Sequence, residues 1–162
     1  MSDEETKIAI YEFNPKGTEV QIKVKDDSCI PIKAHDTDAG YDLKAFENYI
    51  INPGQTVIVD TGCAIALPKG REWLWEAQVR PRSGMSAKTN IRISNSPGTI
   101  DAGYRNYIGV IMQNIGTSSY RIMKGDRIAQ LVITKIPKTE LIVVNELDAT
   151  DRGLGGFGST GV

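Results

Sequence analysis

The sequence is poor in the side chains that build metal and redox sites. Its 162 residues include only two cysteines, Cys29 and Cys63, and one histidine, His35. The cysteines stand far apart and form no CxxC pair, which excludes a protein-only zinc site of the usual kind. We expect both thiols to be buried as small apolar side chains, and His35, which lies in a polar run, to be at the surface.

Two further absences bear on the partners of the chain. The formal net charge is −1, and no long apolar run is present. A nearly neutral chain has no global basic field to attract nucleic acid, and a membrane span needs about 20 apolar residues. Residues 1–7 are acidic and lack the apolar stretch of a signal peptide. We therefore expect a cytoplasmic protein with neither nucleic acid nor a membrane as a partner.

Glycine and proline are plentiful, with 16 and 7 residues, and they separate many short apolar runs. Strands are predicted at residues 8–13, 20–24, 56–59, 63–66, 73–79, 107–112, 128–133 and 141–144. Only residues 83–89 favour a helix. Many short strands between turn residues indicate an all-β sandwich, jelly roll or closed barrel. Trp73 and Trp75 fall on one strand face, where they suit a core or an interface better than a base-stacking platform.

Residues 95–104 combine two turn signals with a carboxylate. Pro97-Gly98 and Ala102-Gly103 lie close together and predict a tight β-hairpin with Asp101 near its tip. One interpretation is turn chemistry, since Asp bonds nearby backbone. The other is a carboxylate beside a slot for a planar base, with Asn95 supplying an amide and Tyr104 a flat face.

Donors suited to phosphate occur at three places. Residues 80–84 put arginines and a hydroxyl at a turn that opens the helical segment. Residues 124–130 form a turn and strand in which Gln130 is a polar residue inside an apolar run. The Gly-rich residues 152–161 read as a disordered tail, yet such a tail has no use for an arginine, a phenylalanine and a Ser-Thr pair.

Five segments occur in one order: AGYDL (39–43), RPRSGMSAK (80–88), NSPGTIDAGYR (95–105), KGDRIAQLV (124–132) and RGLGGFGSTG (152–161). Together they closely resemble the five motifs of the trimeric deoxyuridine triphosphate nucleotidohydrolase (dUTPase) family, from about residue 30 to residue 162. The resemblance implies an all-β, jelly-roll-like β-barrel with at most one short helix. It also implies a homotrimer whose active sites are shared between subunits, and Mg²⁺-assisted hydrolysis of dUTP to dUMP and pyrophosphate.

The resemblance further implies a role for each motif residue. Asp101 would be the general base, Tyr104 would lie under the deoxyribose, and Asp42 would reach Mg²⁺ through water. The residues implied to read uracil are Asn95, Gly98, Thr99 and Ile100. Those implied to bind the triphosphate are Arg82, Ser83, Gly84 and Gln130. The tail would close over the substrate through Arg152, Phe157, Gly158, Ser159 and Thr160.

The division implied for the chain is an N-terminal extension with first strands (1–29), a barrel core (30–148) and a flexible lid (149–162). Asn106 and Ser86 depart from residues common in the family, which puts only local loop geometry in question. Two alternatives stay open at this stage. They are a deoxycytidine triphosphate deaminase of the same fold and a non-catalytic nucleotide-sensing or regulatory protein on this scaffold.

Overall fold

The computed structural model describes residues 18–70, 73–151 and 153, and these residues are almost entirely strand and loop. The strands are β1 (Gln21–Val24), β2 (Tyr41–Lys44), β3 (Tyr49–Ile51), β4 (Thr56–Asp60), β5 (Cys63–Ala66), β6 (Trp73–Arg80), β7 (Ile91–Ile93), β8 (Gly98–Asp101), β9 (Gly109–Asn114), β10 (Tyr120–Ile122) and β11 (Arg127–Pro137). One α-helix, α1 (Ser83–Lys88), and one 3-10 turn (Asp27–Cys29) complete the described elements. The prediction of an all-β, jelly-roll-like fold with at most one short helix is confirmed.

The strands form a four-stranded sheet in the order β2-β11-β6-β8 and a three-stranded sheet in the order β4-β9-β7. Two-stranded sheets, β1-β5 and β10-β3, complete the layers. Both larger sheets turn alternate apolar side chains into one core, as Val79 of β6, Met112 of β9 and Leu131 of β11 do. The outward positions are mostly polar, although a few apolar side chains such as Ile58 of β4 are exposed there.

Two predictions about strands are wrong. Residues 141–144 form no strand: Leu141 is 96% exposed and Val143 98% exposed. Their apolar, β-branched sequence favours a strand, but no strand of the described chain pairs with them. Residues 95–104 form no hairpin, because β8 pairs with β6 while β7 pairs with β9. Asp101 is the last residue of an edge strand.

Other expectations are confirmed. Cys29 and Cys63 are free and buried, and the side chain of His35 is 79% exposed. Trp75 packs against the core from β6. The strand predicted at residues 8–13 lies outside the described residues. None of the helices in the described ranges has the length and apolar character that crossing a membrane requires.

Candidate active site

A polar cleft of about 250 Å³ opens where β2, β11 and the turn before α1 meet. We call it the arginine cleft; its lining includes residues 38–40, Asp42, residues 82–84, Arg127 and Gln130. The long strand β11 builds it, because it pairs with β2 on one side and with β6 on the other. In register, Gln130 stands opposite Asp42 of β2 and Arg80 of β6.

Asp42 is the centre of the charges in this cleft. Its Oδ1 accepts a hydrogen bond from Arg82 Nε at 2.8 Å, and its Oδ2 accepts one from Arg127 Nη1 at 3.3 Å. The Asp42 side chain is only 15% exposed. Two guanidinium groups therefore fix the position of a mostly buried carboxylate.

Local backbone geometry explains why Arg82 points into the cleft. Arg82 precedes α1 in an extended conformation and makes no capping bond from its side chain. Ser83 and Gly84 follow in the exposed first turn. The neighbouring Arg80 is different, since its guanidinium donates to the Gln78 side chain at 2.7 and 2.9 Å and does not line the cleft.

Gln130 is held from two sides. Its Nε2 donates to the Pro81 carbonyl at 2.9 Å. A Cβ placed on Gly40 would lie 2.7 Å from Gln130 Oε1, so only glycine fits there without displacing the amide. The conformation of this polar residue inside an apolar strand is thus specified by its neighbours.

A second cleft, of about 220 Å³, lies along β8 and the start of β9. We call it the Asp101 cleft; its polar side is lined by Asn95, Gly98, Thr99, Asp101 and Tyr104, and Ile100 and residues 108–111 also line it. Asp101 is exposed at the end of β8. The Tyr104 hydroxyl donates to the Tyr107 carbonyl at 3.1 Å, and the Tyr104 amide donates to the Asp101 carbonyl at 3.0 Å. These bonds hold the aromatic ring of Tyr104 close to the end of β8, where Asp101 lies.

The two clefts share no lining residue. The predicted site residues divide between them. The arginine cleft holds Asp42, Arg82, Ser83, Gly84 and Gln130; the Asp101 cleft holds Asn95, Gly98, Thr99, Ile100, Asp101 and Tyr104. Within one chain, Asp101 therefore does not line the cavity that carries the arginines. Arg152, Phe157, Gly158, Ser159 and Thr160 lie outside the described residues.

Sequence reasoning missed Arg127, which lines the arginine cleft and binds Asp42. The residue stands inside the KGDRIAQLV segment, but a charge beside a Gly-Asp turn reads as ordinary hairpin chemistry. Arg127 reaches Asp42 only because β11 pairs with β2, and the local sequence around Arg127 does not indicate that pairing.

The arginine cleft suits a Mg²⁺ ion that comes with its own ligands. Mg²⁺ prefers oxygen and keeps several waters, and it is commonly bound by one or two carboxylates plus substrate phosphates. Among the described residues, no three His, Cys, Asp or Glu side chains gather as a cage. The carboxylate of Asp42 lines the cleft and can accept from a metal-bound water. The donor set thus fits a metal held mainly by phosphates and water.

Comparison with known proteins assigns the fold and the motifs to one family. A family model described as dUTPase matches residues 26–161. A deoxyuridine 5'-triphosphate nucleotidohydrolase of Clostridium tetani is 47% identical over 147 residues, covering 89% of this chain and 99% of the relative. One from Alkaliphilus metalliredigens is 47% identical over 133 residues, covering 82% and 90%. The chain belongs to the dUTPase family.

Solved structures agree with this assignment. A mutant dUTPase of Staphylococcus bacteriophage 80alpha, in a structure with dUpNHpp, superimposes with a TM-score of 0.80 at 32% identity, covering 89% of this chain and 99% of that one. A mutant dUTPase of phage phi11 of S. aureus has a TM-score of 0.72 at 28% identity, covering 79% and 97%; that study describes a structural Mg(II) ion.

Proposed function

We propose that the protein hydrolyses dUTP to dUMP and pyrophosphate in active sites that combine the arginine cleft of one subunit with the Asp101 cleft of another. The observation that carries this proposal is the separation of the two clefts in one chain. A water-activating carboxylate and a set of phosphate donors have to meet at one substrate for this reaction. A second copy of the chain can supply the missing half.

Asp101 is the general base in this proposal. Its carboxylate is exposed at the end of β8, and an ionised carboxylate only accepts protons. It takes a proton from the water that attacks the α-phosphorus in line with the leaving pyrophosphate. The water oxygen forms the new bond to phosphorus, and the bond from the α-phosphorus to the bridging oxygen breaks.

The arginine cleft holds the triphosphate. Arg82 forks to phosphate oxygens, and the hydroxyl of Ser83, the open backbone at Gly84 and the amide of Gln130 add donors. Mg²⁺, when bound with the substrate, withdraws charge from the phosphates and so lowers the barrier to attack. Asp42 contributes through the water shell of the ion.

The Asp101 cleft selects the base and the sugar. Asn95 and the backbone of Gly98, Thr99 and Ile100 read uracil by hydrogen bonds. The Cβ position of Gly98 lies 3.2 Å from the Asn95 amide nitrogen, so a side chain there would press on the amide. The ring of Tyr104 lies under the deoxyribose and leaves no room for a 2′-hydroxyl.

Exposed apolar side chains support assembly into a homotrimer. Leu141, Val143 and Leu147 are at least 87% exposed, and Ile58 on β4 is 66% exposed. Large apolar side chains that one chain leaves so exposed can be buried against another chain. The barrel core (30–148) then carries the shared sites, and residues 1–29 supply an N-terminal extension and first strands. Residues 149–162 act as the lid that brings Arg152, Phe157, Gly158, Ser159 and Thr160 to the substrate. The cytoplasmic location is retained as a prediction from the sequence.

One assay tests the proposed reaction. The protein is incubated with dUTP or with dCTP in the presence of Mg²⁺, and the products are identified by chromatography. We expect dUMP and pyrophosphate from dUTP and no reaction of dCTP. Conversion of dCTP to dUTP would instead identify a deaminase, and binding without turnover would identify a nucleotide-sensing protein.

A further inference from the structure

The arginine cleft contains two guanidinium groups and two carboxylates, and the carboxylates are engaged differently. Asp38 is bonded within its own turn, where its Oδ2 accepts from the His35 amide at 3.0 Å. Asp42 accepts from Arg82 at one oxygen and from Arg127 at the other. Arg82 Nη1 also lies 3.4 Å from the Arg127 carbonyl, which ties the two arginines together. Asp42 is thus the carboxylate that holds both cations.

These ion pairs have a consequence for any phosphate that enters the cleft. Arg82 is 26% exposed and Asp42 15% exposed, so water screens their interaction only in part. A polyphosphate without a cation would have to approach Asp42, a like charge, and compete with it for both arginines. Arg127 is 52% exposed and lines the cleft, and its guanidinium has five N–H donors, of which the bond to Asp42 uses one.

We propose that Asp42 holds Arg82 and Arg127 in ion pairs until a divalent cation arrives and thereby releases both guanidinium groups for the phosphates. When a triphosphate enters with Mg²⁺, Asp42 turns its charge toward the water shell of the cation, and the guanidinium groups turn to the phosphates. The inference rests on the proposed function, since it assigns a triphosphate to this cleft. Asp42 thus couples the binding of metal and phosphate: its charge weakens the binding of a triphosphate alone and strengthens the binding of a triphosphate with a divalent cation.

The coupling predicts that Asp42→Asn changes the affinity for a triphosphate in opposite directions without and with a divalent cation. The amide keeps the shape of the side chain and removes its charge. Without a divalent cation, we expect the variant to bind a triphosphate about three- to tenfold more tightly than the natural chain, the size of one or two partly exposed ion pairs. With Mg²⁺, we expect it to bind more weakly by a similar factor. A residue with only a structural role would weaken binding in both conditions.

Arg127→Gln identifies the second arginine. With Mg²⁺ present, we expect this change to weaken triphosphate binding about tenfold, as the loss of a charge-assisted contact does. In the Asp42→Asn background without cation, it should remove most of the gained affinity, because Arg127 is one of the two groups that were released. Arg121→Gln is the matched control, since Arg121 lies on β10 and does not line this cleft.

The measurement is isothermal titration at low ionic strength, in EDTA and in Mg²⁺, with circular dichroism as a check of folding. Two probes are used, a non-hydrolysable imido analogue of dUTP and inorganic triphosphate. The inference is supported if Asp42→Asn binds either probe more tightly than the natural chain in EDTA and more weakly in Mg²⁺, a result we call the crossing. Loss of affinity in both conditions, or an Arg127→Gln variant that behaves as Arg121→Gln does, overturns it.

The two probes separate this inference from the proposed function. If inorganic triphosphate shows the crossing but the dUTP analogue does not bind, the cleft couples metal and phosphate while the proposed substrate is wrong. If the analogue binds with Mg²⁺ and the signs do not cross, the coupling is wrong while the proposed function stands. Failure of the natural chain to bind either probe contradicts both.

Discussion

At the scale of single residues, Asp101 offers the sharpest test of the proposed chemistry. Asp101→Asn keeps the shape of the side chain and removes the proton acceptor, so we expect kcat to fall by roughly 10² to 10⁴, the usual share of a positioned general base. Affinity for a non-hydrolysable dUTP analogue should change little. Steady-state kinetics and titration measure the two effects separately.

Glu76 provides the matched control for this prediction. It stands directly opposite Asp101 in the pairing of β6 with β8, yet it does not line the Asp101 cleft. Glu76→Gln makes the same chemical change one strand away, and we expect kcat to stay within a few-fold of the natural value. Equal losses in the two variants would show that a general change in surface charge, and not a base, lowers the rate.

Cys63 allows a prediction from its pKa. Burial, and to a lesser degree the nearby Cys29 thiol, raises the pKa of Cys63 from 9.0 to about 11. At pH 8 the thiolate is therefore scarce, and the side chain is fully buried besides. In a Cys29→Ser variant we expect iodoacetamide to react with Cys63 at least about 100-fold more slowly in the native protein than in urea.

The same shift fixes the sign of a pH effect. The folded protein holds the Cys63 proton to a higher pH than the unfolded chain does, so the free energy of unfolding should fall as the pH rises from 9.0 toward about 11. Replacing Cys63 by serine should remove this contribution. Equal rates of reaction with iodoacetamide for the native and the urea-treated protein at pH 8 would contradict the burial and the raised pKa of Cys63.

At the scale of strands, Asn114 at the end of β9 joins three segments. Its Nδ2 donates to the carbonyls of Ile51 and Ser118, each at 2.8 Å, and its Oδ1 accepts from the Gly116 amide at 2.9 Å. The residue is 1% exposed, so these groups would lose their partners without gaining water. We expect Asn114→Ala to lower the free energy of unfolding by about 3 kcal/mol.

Urea denaturation at one fixed protein concentration measures this effect, because the stability of an oligomer depends on concentration. Gln113→Ala is the control: the side chain is half-buried on the other face of the same strand, and we expect a cost below about 1 kcal/mol. A cost for Asn114→Ala no larger than that for Gln113→Ala would show that the loops after β3 and β9 do not depend on the amide.

The elements also show what local sequence can and cannot predict. The alternation along residues 73–79 predicted β6, and residues 83–89 predicted α1, because both patterns are complete within a few residues. The strand predicted at 141–144 and the hairpin around Asp101 were wrong for a common reason. Strand pairing is decided by distant partners, and the turn signals near Asp101 carry no information about β6.

The same contrast applies to the candidate site. The order of the motifs in the sequence predicted eleven residues that the structure places in two clefts. It did not predict that Arg127 binds Asp42, because that contact arises from the register of β11 against β2. Conformational signals act locally, whereas the bond between Arg127 and Asp42 joins residues 85 positions apart.

At the scale of the whole molecule, the separated clefts and the exposed apolar residues lead to one expectation about assembly. The chain has a mass of 17.7 kDa, and a homotrimer should scatter light as a particle of about three times that mass. In the proposed homotrimer, cyclic symmetry would place the Asp101 cleft of each subunit against the arginine cleft of the next and so form three equivalent sites. A monomer that hydrolyses dUTP at full rate would contradict the shared site.

Mixed trimers test the sharing directly. Asp101→Asn leaves the arginine cleft intact, and Arg82→Gln leaves the Asp101 cleft intact, so each variant alone should be nearly inactive. If the two are unfolded together in equal amounts and refolded, about a quarter of the sites in a cyclic trimer should combine two intact clefts. We therefore expect recovery of about a quarter of the natural kcat per site, with the KM of the natural protein.

The control mixes Arg82→Gln with Gln130→Ala. Both changes lie in the arginine cleft, so every site receives one of them and activity should stay low. Recovery in neither mixture would place the whole site within one chain.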